Sequence, residues 1–378
     1  MNKIIYITSY NSAISERDLE ISLAEKTCSE YIISCFKQEG YVVNVLSTGV
    51  GKKRSYFTTC KRKIDNSEIQ YFFPSLKAPK SYVLKILNQF LVYTGIFLWL
   101  LFKSEREDIV LVYHNNLLSH FYGLMGVLNK NLSFVVGELY SAVYNKGYSE
   151  IEIEKRRLQK GKRYIFANDI MAQRLEKEDC STVCYGNTSF LGSSRHVDKS
   201  IIKIVYAGKI ETGRVSDAFV AVETARYLPH GYEVSIIGYG SDTDIEKLRQ
   251  LIEEINKERD DEIVSYNGCL YGTELDDFIM DCDIGLCPRV LDDNASDYCF
   301  PSKTLVYMTH GVIPLCPKLK NLYGSKVSSG ILFIQGELTP ENIAKTIVNH
   351  KNGTQVDYKV LLDGVDKDFR FSINKLFN

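Results

Sequence analysis

The strongest constraint on the fold is a regular alternation of strand-like and helix-like segments. Ile4–Thr8 has the pattern of a strand, the stretch near Glu16–Lys37 that of a helix, and Tyr41–Leu46 that of the next strand. The same alternation starts again at Ile201. It is typical of βαβ units, which build a parallel sheet covered by helices on both faces. With 378 residues, and about 100–200 residues in a usual domain, the chain is predicted to form two such α/β domains.

Polar residues directly follow several of the predicted strands. Ser9 follows the first strand, His114 follows Ile109–Tyr113, and Glu138 follows Leu132–Val136. In open parallel sheets, ligands bind beyond the carboxyl ends of the strands, so these residues are candidates for ligand contact. A structural histidine and a helix-capping glutamate would produce the same pattern. The sequence leaves both alternatives open.

A short helix is predicted at Pro301–His310, because proline suits the first turn of a helix and Gly311 suits its C-terminal end. The first backbone N–H groups of a helix have no partner within it, so those of Ser302, Lys303 and Thr304 are candidates to bind a phosphate. Lys303 adds a positive charge at the same place. An ordinary proline-started helix with an exposed lysine is the alternative interpretation.

Two cations follow the first strand of the second half. Ile204–Tyr206 forms a strand that runs into Gly208, and Lys209 and Arg214 then lie five residues apart across a glycine-containing turn. Two cations at this spacing can meet one diphosphate. After the next strand, Gly238-Tyr239-Gly240 lacks the third glycine of a dinucleotide fingerprint, which argues against a nicotinamide site and predicts a close approach of the backbone to a ligand.

Together these segments resemble the C-terminal half of the GT-B glycosyltransferases, in particular retaining family 4, the glycosyl transferases group 1. The turn after the strand usually reads Gly-Arg-Leu-x-x-x-Lys-Gly in that family; Lys209 stands at the arginine position and Arg214 at the lysine position. The resemblance implies two Rossmann-like doubly wound domains facing across a cleft. The implied domains are an acceptor-binding domain over 1–190, a nucleotide-sugar-binding domain over 200–355, and a C-terminal segment, 356–378, whose helix crosses back to the first domain.

The resemblance also implies an activity and a set of site residues. The implied enzyme moves a sugar, with retention, from a nucleotide-diphosphate sugar of UDP or GDP type to a saccharide acceptor, with no cofactor and no metal. The implied setting is bacterial capsule, exopolysaccharide or O-antigen biosynthesis with a lipid-linked acceptor. The implied residues are Glu138, Lys209 and Arg214 for catalysis, Gly208, Gly238, Tyr239, Leu270, Tyr271, Pro301, Ser302, Lys303 and Thr304 for the donor, and Ser9 and His114 for the acceptor or sugar.

The chain departs from the family at two positions around the Pro301 helix. Tyr298 and Val306 stand where the family commonly has two glutamates. Valine cannot accept hydrogen bonds from a ribose diol, so ribose recognition must come from elsewhere or the donor site is altered. Two other classes of protein stay open: a non-catalytic sugar-nucleotide-binding or scaffold protein, and a nucleotide-sugar epimerase.

Asp281 and Asp283 precede a strand instead of following one, so they are not predicted to bind a metal.

Composition limits the partners and the compartment. A net charge of −1 gives no general attraction to nucleic acid. Ten cysteines occur without a Cys-x-x-Cys pair, which argues against a zinc site and a disulfide framework and favours a reducing cytoplasm. The apolar run Ile4–Ile7 is too short for the core of a signal peptide.

Two further segments raise the question of a membrane. The apolar run Phe90–Phe102 has thirteen residues, about 20 Å as a helix, and is predicted not to span a bilayer. It fits either a core helix or an interfacial helix anchored by Phe97, Trp99 and Phe102. The segment Lys52–Lys63 carries six positive charges and no acid, which fits either a solvated loop or contact with an acidic membrane. Peripheral location on the inner face of the cell membrane is therefore one expectation.

Overall fold

The computed structural model describes residues 3–12, 19–20, 22–77, 81–128, 131–193, 200–213, 217–289, 293–350 and 356–378. These form two compact units. Unit 1 comprises Met1–Asn187, Asp297–Phe300 and Lys367–Asn378, and unit 2 comprises Thr188–Ser296 and Pro301–Asp366. The predicted division at 1–190 and 200–355 did not anticipate that Asp297–Phe300 would belong with unit 1. Four consecutive residues inside the second half carry no pattern that would assign them to the first unit.

The described part of unit 1 largely alternates between strands and helices, with four strands in succession between its first two helices. Its strands are β1 (Lys3–Thr8), β2 (Leu19–Glu20), β3 (Val42–Ser47), β4 (Val50–Gly51), β5 (Cys60–Lys63), β6 (Glu68–Phe72), β7 (Ile109–Tyr113), β8 (Asn131–Val136), β9 (Arg163–Phe166) and β10 (Ser181–Val183). Its helices are α1 (Leu23–Gln38), α2 (Tyr82–Lys103), α3 (Tyr122–Leu128), α4 (Tyr140–Val143), α5 (Tyr148–Leu158) and α6 (Asp169–Arg174).

Unit 2 repeats the alternation with fewer strands. Its strands are β11 (Ile202–Ile210), β12 (Tyr232–Gly240), β13 (Val264–Tyr266), β14 (Ile284–Leu286), β15 (Ile313–Cys316) and β16 (Leu332–Phe333). Its helices are α7 (Asp217–Thr224), α8 (Asp242–Arg259), α9 (Thr273–Met280), α10 (Asp293–Ser296), α11 (Lys303–Thr309), α12 (Lys320–Tyr323) and α13 (Pro340–Asn349). The last helix, α14 (Tyr358–Phe377), begins in unit 2 and ends in unit 1.

Both sheets are doubly wound around a central first strand. Within the described residues, the order in unit 1 is β10-β9-β8-β7-β1-β3-β6-β5, parallel except for the antiparallel β5–β6 pair. The order in unit 2 is β13-β12-β11-β14-β15-β16, with parallel pairing throughout. In each sheet the chain winds outward from the first strand and then reverses. The reversal creates a switch point, between β1 and β7 in unit 1 and between β11 and β14 in unit 2, where such sheets bind ligands.

The core of unit 1 lies on both faces of its sheet. Ile5 and Ile7 of β1 point into a cluster that includes Val92 and Ile96 of α2. Their neighbours in β1 point to the other face, because successive side chains of a strand alternate. There Tyr6 packs in a cluster with residues from α1 and from the C-terminal part of α14, among them Phe36, Phe369, Ile373 and Phe377.

Helix α2 is longer than the apolar run that predicted it. It has 22 residues, and by length and composition alone it could cross a membrane; it is the single such helix among the residues that the structure describes. The expectation of a segment too short to span is therefore wrong on length. Of the three predicted anchors, Phe97 and Trp99 pack against the core of unit 1, and Phe102 is 72% exposed. One face of the helix is core and the other is solvent-exposed.

Candidate functional site

The switch point of unit 2 gathers charged side chains at the carboxyl ends of β11 and β14. Lys303, the first residue of α11, places its Nζ 4.0 Å from the centre of the Tyr206 ring and 4.0 Å from Oδ2 of Asp217. Gly208 makes this position possible. A Cβ atom at Gly208 would overlap Nζ and Cε of Lys303, so a larger residue would displace the lysine. Strand β11 and helix α11 therefore fix an ammonium group at this edge of the sheet.

The electrostatics of this cluster are unusual for a surface lysine. Burial lowers the pKa of Lys303, and the carboxylate of Asp217 opposes that effect while the guanidinium of Arg289 adds to it. Burial raises the pKa of Asp217, and the positive charges of Lys303 and Arg289 oppose this increase. About a third of the Lys303 side chain still reaches solvent. Asp217 compensates only in part for the burial of the Lys303 ammonium, and part of the side chain remains accessible. An anion can therefore bind to Lys303.

Arg289 was missed by the sequence analysis. It follows β14 directly after Cys287 and Pro288, and no residue that the structure describes accepts a hydrogen bond from its buried Nε. The signal was present, because Arg289 is a cation just beyond the end of a strand, the same criterion that selected Ser9 and Glu138. Its charge acts on both Lys303 and Asp217.

The start of α11 differs in detail from the prediction. The helix runs from Lys303 to Thr309, two residues later than Pro301. The N–H of Thr304 donates to the carbonyl of Pro301 at 3.0 Å, so Thr304 is removed from the amides predicted to face a phosphate. Pro301 closes this tight turn through its carbonyl, and the amides of Ser302 and Lys303 remain the candidates.

The other predicted donor residues lie on the same unit but in different settings. Lys209 is 61% exposed at the side chain and pairs with Glu211. Gly238 has a φ of +148°, and a Cβ there would overlap the carbonyl of Gly208. The close approach predicted at Gly238 is thus to the neighbouring strand. Tyr239 and Tyr271 are exposed and Leu270 is half-buried, whereas Arg214 lies outside the described residues.

The two positions that depart from the family lie in different units. Tyr298 belongs to unit 1, where its side chain is buried and the ammonium of Lys155 lies 5.5 Å from its ring centre. Val306 belongs to unit 2 and is 37% exposed. Neither side chain presents a carboxylate.

The switch point of unit 1 contains a polar cavity of about 290 Å³. Ser9 beyond β1, Thr48 beyond β3 and Asn115 beyond β7 line it, so three strand ends contribute. Glu25 lies at its base and accepts hydrogen bonds from the N–H of Ser9 at 2.6 Å and the hydroxyl of Thr8 at 2.9 Å. Burial raises the pKa of Glu25, and these hydrogen bonds oppose the effect. The lining suits a ligand rich in hydroxyl groups.

Glu25 was also missed from the sequence, although a signal existed. Ser22 is the N-cap of α1 and its side chain accepts from the N–H of Glu25 at 3.3 Å. Ser-x-x-Glu is the pattern of a capping box, which would have located the start of this helix. The carboxylate of Glu25 departs from that pattern, because it bonds Ser9 and Thr8.

His114 is buried and both of its ring nitrogens are used. Nδ1 lies 2.9 Å from the hydroxyl of Tyr122, and Nε2 lies 2.6 Å from Oε1 of Glu154. Glu154 also accepts from the N–H groups of Tyr140 and Ser141. The hydrogen bonds from His114 and Ser141 hold the pKa of Glu154 below its usual value despite burial. The ring of His114 therefore joins α3 to α5, and the sugar contact by His114 stays a prediction that these two hydrogen bonds argue against.

Glu138 lies where the sequence placed it, at the carboxyl end of β8 and partly exposed. Gly137 before it leaves room for the hydroxyl of Tyr113, which a side chain at that position would strike. The helix-capping alternative for Glu138 is not favoured, because Glu154 accepts the first-turn amides of α4 and the N-cap residue is Leu139.

The comparisons with known proteins rest on structure. No protein-family model matches the chain, and no curated protein matches it in sequence. Trehalose-6-phosphate synthase from E. coli, bound with UDP-2-fluoro glucose, is similar with a TM-score of 0.65 at 10% identity over 100% of this chain and 98% of that one. Sucrose-phosphate synthase from Thermosynechococcus elongatus has a TM-score of 0.66 at 12% identity, over 100% and 95%. Anabaena HepE, in complex with UDP and glucose, has a TM-score of 0.57 at 10% identity, over 100% and 98%.

These proteins are glycosyltransferases of the GT-B class, and the likeness extends over the whole of this chain. The chain therefore has the GT-B fold, built from two Rossmann-like domains. The fold class predicted from the alternation and from the resemblance is confirmed.

Proposed function

We propose that this protein is a retaining glycosyltransferase that takes a sugar from a nucleotide-diphosphate sugar, of UDP or GDP type, and transfers it to a saccharide. The observation that carries the proposal is Lys303, an ammonium group held at the switch point of unit 2 between Gly208, Tyr206 and Asp217. The likeness to enzymes solved with UDP or a UDP sugar supports it.

The proposed role of the cations is electrostatic. As the bond between sugar and phosphate breaks, negative charge grows on the leaving diphosphate, and fixed positive groups stabilise it. Lys303 is assigned this role first, because burial lowers its pKa and a bound diphosphate would restore its preference for the charged form. Lys209, Arg214 and the newly identified Arg289 are assigned supporting positions. The proposal includes independence from metal, with these cations supplying the positive charge.

Unit 1 is proposed to bind the acceptor. The polar cavity at its switch point offers hydroxyl, amide and carboxyl groups from Ser9, Asn115 and Glu25, the groups with which proteins bind saccharides. Glu138, at the end of β8, is proposed as the acid that faces the reacting sugar. A lipid-linked acceptor and a place in bacterial surface polysaccharide biosynthesis are further parts of the proposal, and the resemblance of the sequence to retaining family 4 supports them. None of the ten cysteines forms a disulfide bond in the part of the chain that the structure describes, which supports the proposal of a reducing cytoplasm as the compartment.

A thermal-shift screen with UDP, GDP and ADP sugars tests donor binding. A ligand that binds only the folded protein at 100 times its Kd stabilises it by about 2.7 kcal/mol, so one nucleotide series should raise the Tm and the others should not. The variant Lys303→Met should lose most of that shift, whereas Lys320→Met, at an exposed lysine of α12, should retain it. Absence of stabilisation by every sugar nucleotide would overturn the proposal.

A non-catalytic sugar-nucleotide-binding protein is the second candidate. Tyr298 and Val306 favour it, because neither side chain can replace the carboxylates of the family. Hydrolysis or transfer of the stabilising donor separates the two candidates. Tight binding without turnover on any acceptor would identify the binding protein, and interconversion of the donor alone would identify an epimerase.

A further inference from the structure

The outward face of α2 is apolar from Val83 to Phe102 except at Thr94, which is exposed and bonds the carbonyl of Phe90 within the helix. Its members are Val83, Leu87, Leu91, Leu98, Leu101 and Phe102, with between 41% and 72% of each side chain exposed. Their spacing places them on one face of the helix, since residues three and four apart lie above one another. We call these six residues the α2 outer face. Helix α2 carries no acidic residue, and its two charged residues are lysines.

The opposite face of α2 holds the helix on unit 1. Val92, Ile96 and Leu100 are fully or almost fully buried in the core of that unit. Removing the helix from this core would expose these side chains, each of which stabilises the fold by about 1.5–3 kcal/mol when buried. Helix α2 therefore stays on the surface of unit 1, with its long axis along that surface and its apolar outer face presented to the surroundings.

Positive charge borders this face. Lys61, Arg62 and Lys63 lie on β5, an edge strand of which every residue is exposed. The ammonium of Lys61 lies 6.0 Å from the ring centre of Tyr71, and that ring meets Trp99 of α2 edge-on at 5.0 Å. An apolar groove of about 320 Å³ runs between the two elements and is lined by Thr59, Phe73, Leu98 and Phe102. Lys61 and Lys63 thus share one surface with these apolar side chains, whereas Arg62, between them in the strand, lies on the other face of the sheet.

The turn before β5 extends that surface. Phe57 is 79% exposed, the highest exposure among the large apolar side chains of the described residues. It lies close in sequence to Lys52, Lys53 and Arg54, which are all exposed. The guanidinium of Arg54 lies 5.2 Å from the centre of the Tyr56 ring. An exposed aromatic residue among cations is a combination found at membrane interfaces.

We propose that unit 1 docks on an anionic membrane surface, with the α2 outer face in the interfacial layer and the cations of β5 against lipid headgroups. Interfacial helices combine an apolar face with flanking Lys and Arg residues in this way. A second copy of the chain fits less well. A symmetric pair would use the same patch on both subunits and would bring cations together, because Lys52–Lys63 and α2 contain no acid.

Sedimentation of the full chain with vesicles tests this surface, and it needs no sugar donor. We expect the protein to pellet with vesicles of phosphatidylcholine mixed with phosphatidylglycerol and to stay in solution with phosphatidylcholine alone. High salt should release the protein, since the Debye screening length falls to about 3 Å at 1 M ionic strength. Replacing Lys61 and Lys63 with Gln should weaken binding about fivefold per charge, or roughly twenty-five-fold together.

Matched controls separate this surface from general effects. Lys359 and Lys367, both exposed, lose the same net charge when changed to Gln and should leave binding unchanged. Phe102→Ser should weaken binding at least about tenfold. Phe371→Ser is the matched control and should leave binding unchanged, because Phe371 is also on a helix and is 73% exposed, against 72% for Phe102, but lies outside the α2 outer face.

Three results would overturn the proposal. The first is absence of vesicle binding by the native chain at low salt. The second is equal loss of binding in the test and control variants. The third is concentration-dependent dimerisation that Phe102→Ser abolishes, which would assign the α2 outer face to a second copy. Failure of sugar transfer with intact vesicle binding would count only against the proposed function.

Discussion

Units 1 and 2 share one topology, with a central first strand and a reversal of strand order, yet their switch points differ in chemistry. Unit 2 presents the ammonium of Lys303 and the guanidinium of Arg289 beside Asp217. Unit 1 presents the carboxyl group of Glu25 beside the neutral side chains of Ser9 and Asn115. A common backbone therefore supports one edge suited to an anion and another suited to a hydroxyl-rich ligand, although Glu20 and Lys85 also line the second. The class of ligand depends on the side chains at the strand ends.

Burial acts on both switch points in the same physical direction. It disfavours the charged form of Lys303 and of Glu25, so the pKa of the first falls and that of the second rises. The groups that offset the effect of burial differ between the two sites. Lys303 has a carboxylate at 4.0 Å, whereas Glu25 has a backbone N–H and a hydroxyl as donors. Substitutions at the two sites should therefore affect different properties.

The largest effect is expected from Lys303→Met in unit 2. If the ammonium stabilises the leaving diphosphate, kcat/KM for transfer or donor hydrolysis should fall by about 10²–10³, which is about 2.7–4 kcal/mol in the barrier. The Tm without ligand is measured as well, because the substitution also removes the cation that lies 4.0 Å from the buried carboxylate of Asp217. Steady-state kinetics with the donor found by thermal shift measures the change. Lys320→Met provides the control, and a native rate in Lys303→Met would remove Lys303 from the mechanism.

The sequence predicted most of the framework on which this comparison depends. The alternating segments predicted the main strands, and the proline at 301 predicted a helix start with Lys303 in its first turn. What the sequence could not provide was the pairing of distant polar residues. His114 and Glu154 are forty residues apart, and neither has a local pattern that identifies its partner. The length of α2 was missed because Asn88 and Gln89 interrupt the apolar run; they face inward, where they bond the backbone of Leu76 and Thr48.

An intermediate effect, on stability, is expected from His114→Phe in unit 1. The substitution removes the hydrogen bonds to Tyr122 and Glu154 and should lower the free energy of unfolding by about 1–3 kcal/mol. Trp99 is the single tryptophan of the chain and lies in unit 1, so its fluorescence during urea unfolding reports on that unit.

His120→Phe is the matched control for this experiment. His120 also belongs to unit 1 and is exposed, so its replacement should change stability by less than about 0.5 kcal/mol. Unchanged stability of His114→Phe, together with a raised KM for the acceptor, would restore the sugar contact that the buried network argues against.

The smallest effect is expected from Glu25→Gln, and it concerns pH. Because the pKa of Glu25 is raised in the folded state, the folded chain keeps this proton over a range where the unfolded chain, with a pKa of about 4.3, has lost it. The stability from this group is complete below about pH 4.3 and is lost as the pH rises through the raised pKa. Native unit 1 should therefore lose stability relative to Glu25→Gln between acid and neutral pH.

Urea unfolding followed by Trp99 fluorescence measures this difference in stability. Glu30→Gln, at an exposed carboxyl of the same helix, is the control. A difference that grows in the opposite direction would mean that the hydrogen bonds from Ser9 and Thr8 outweigh burial.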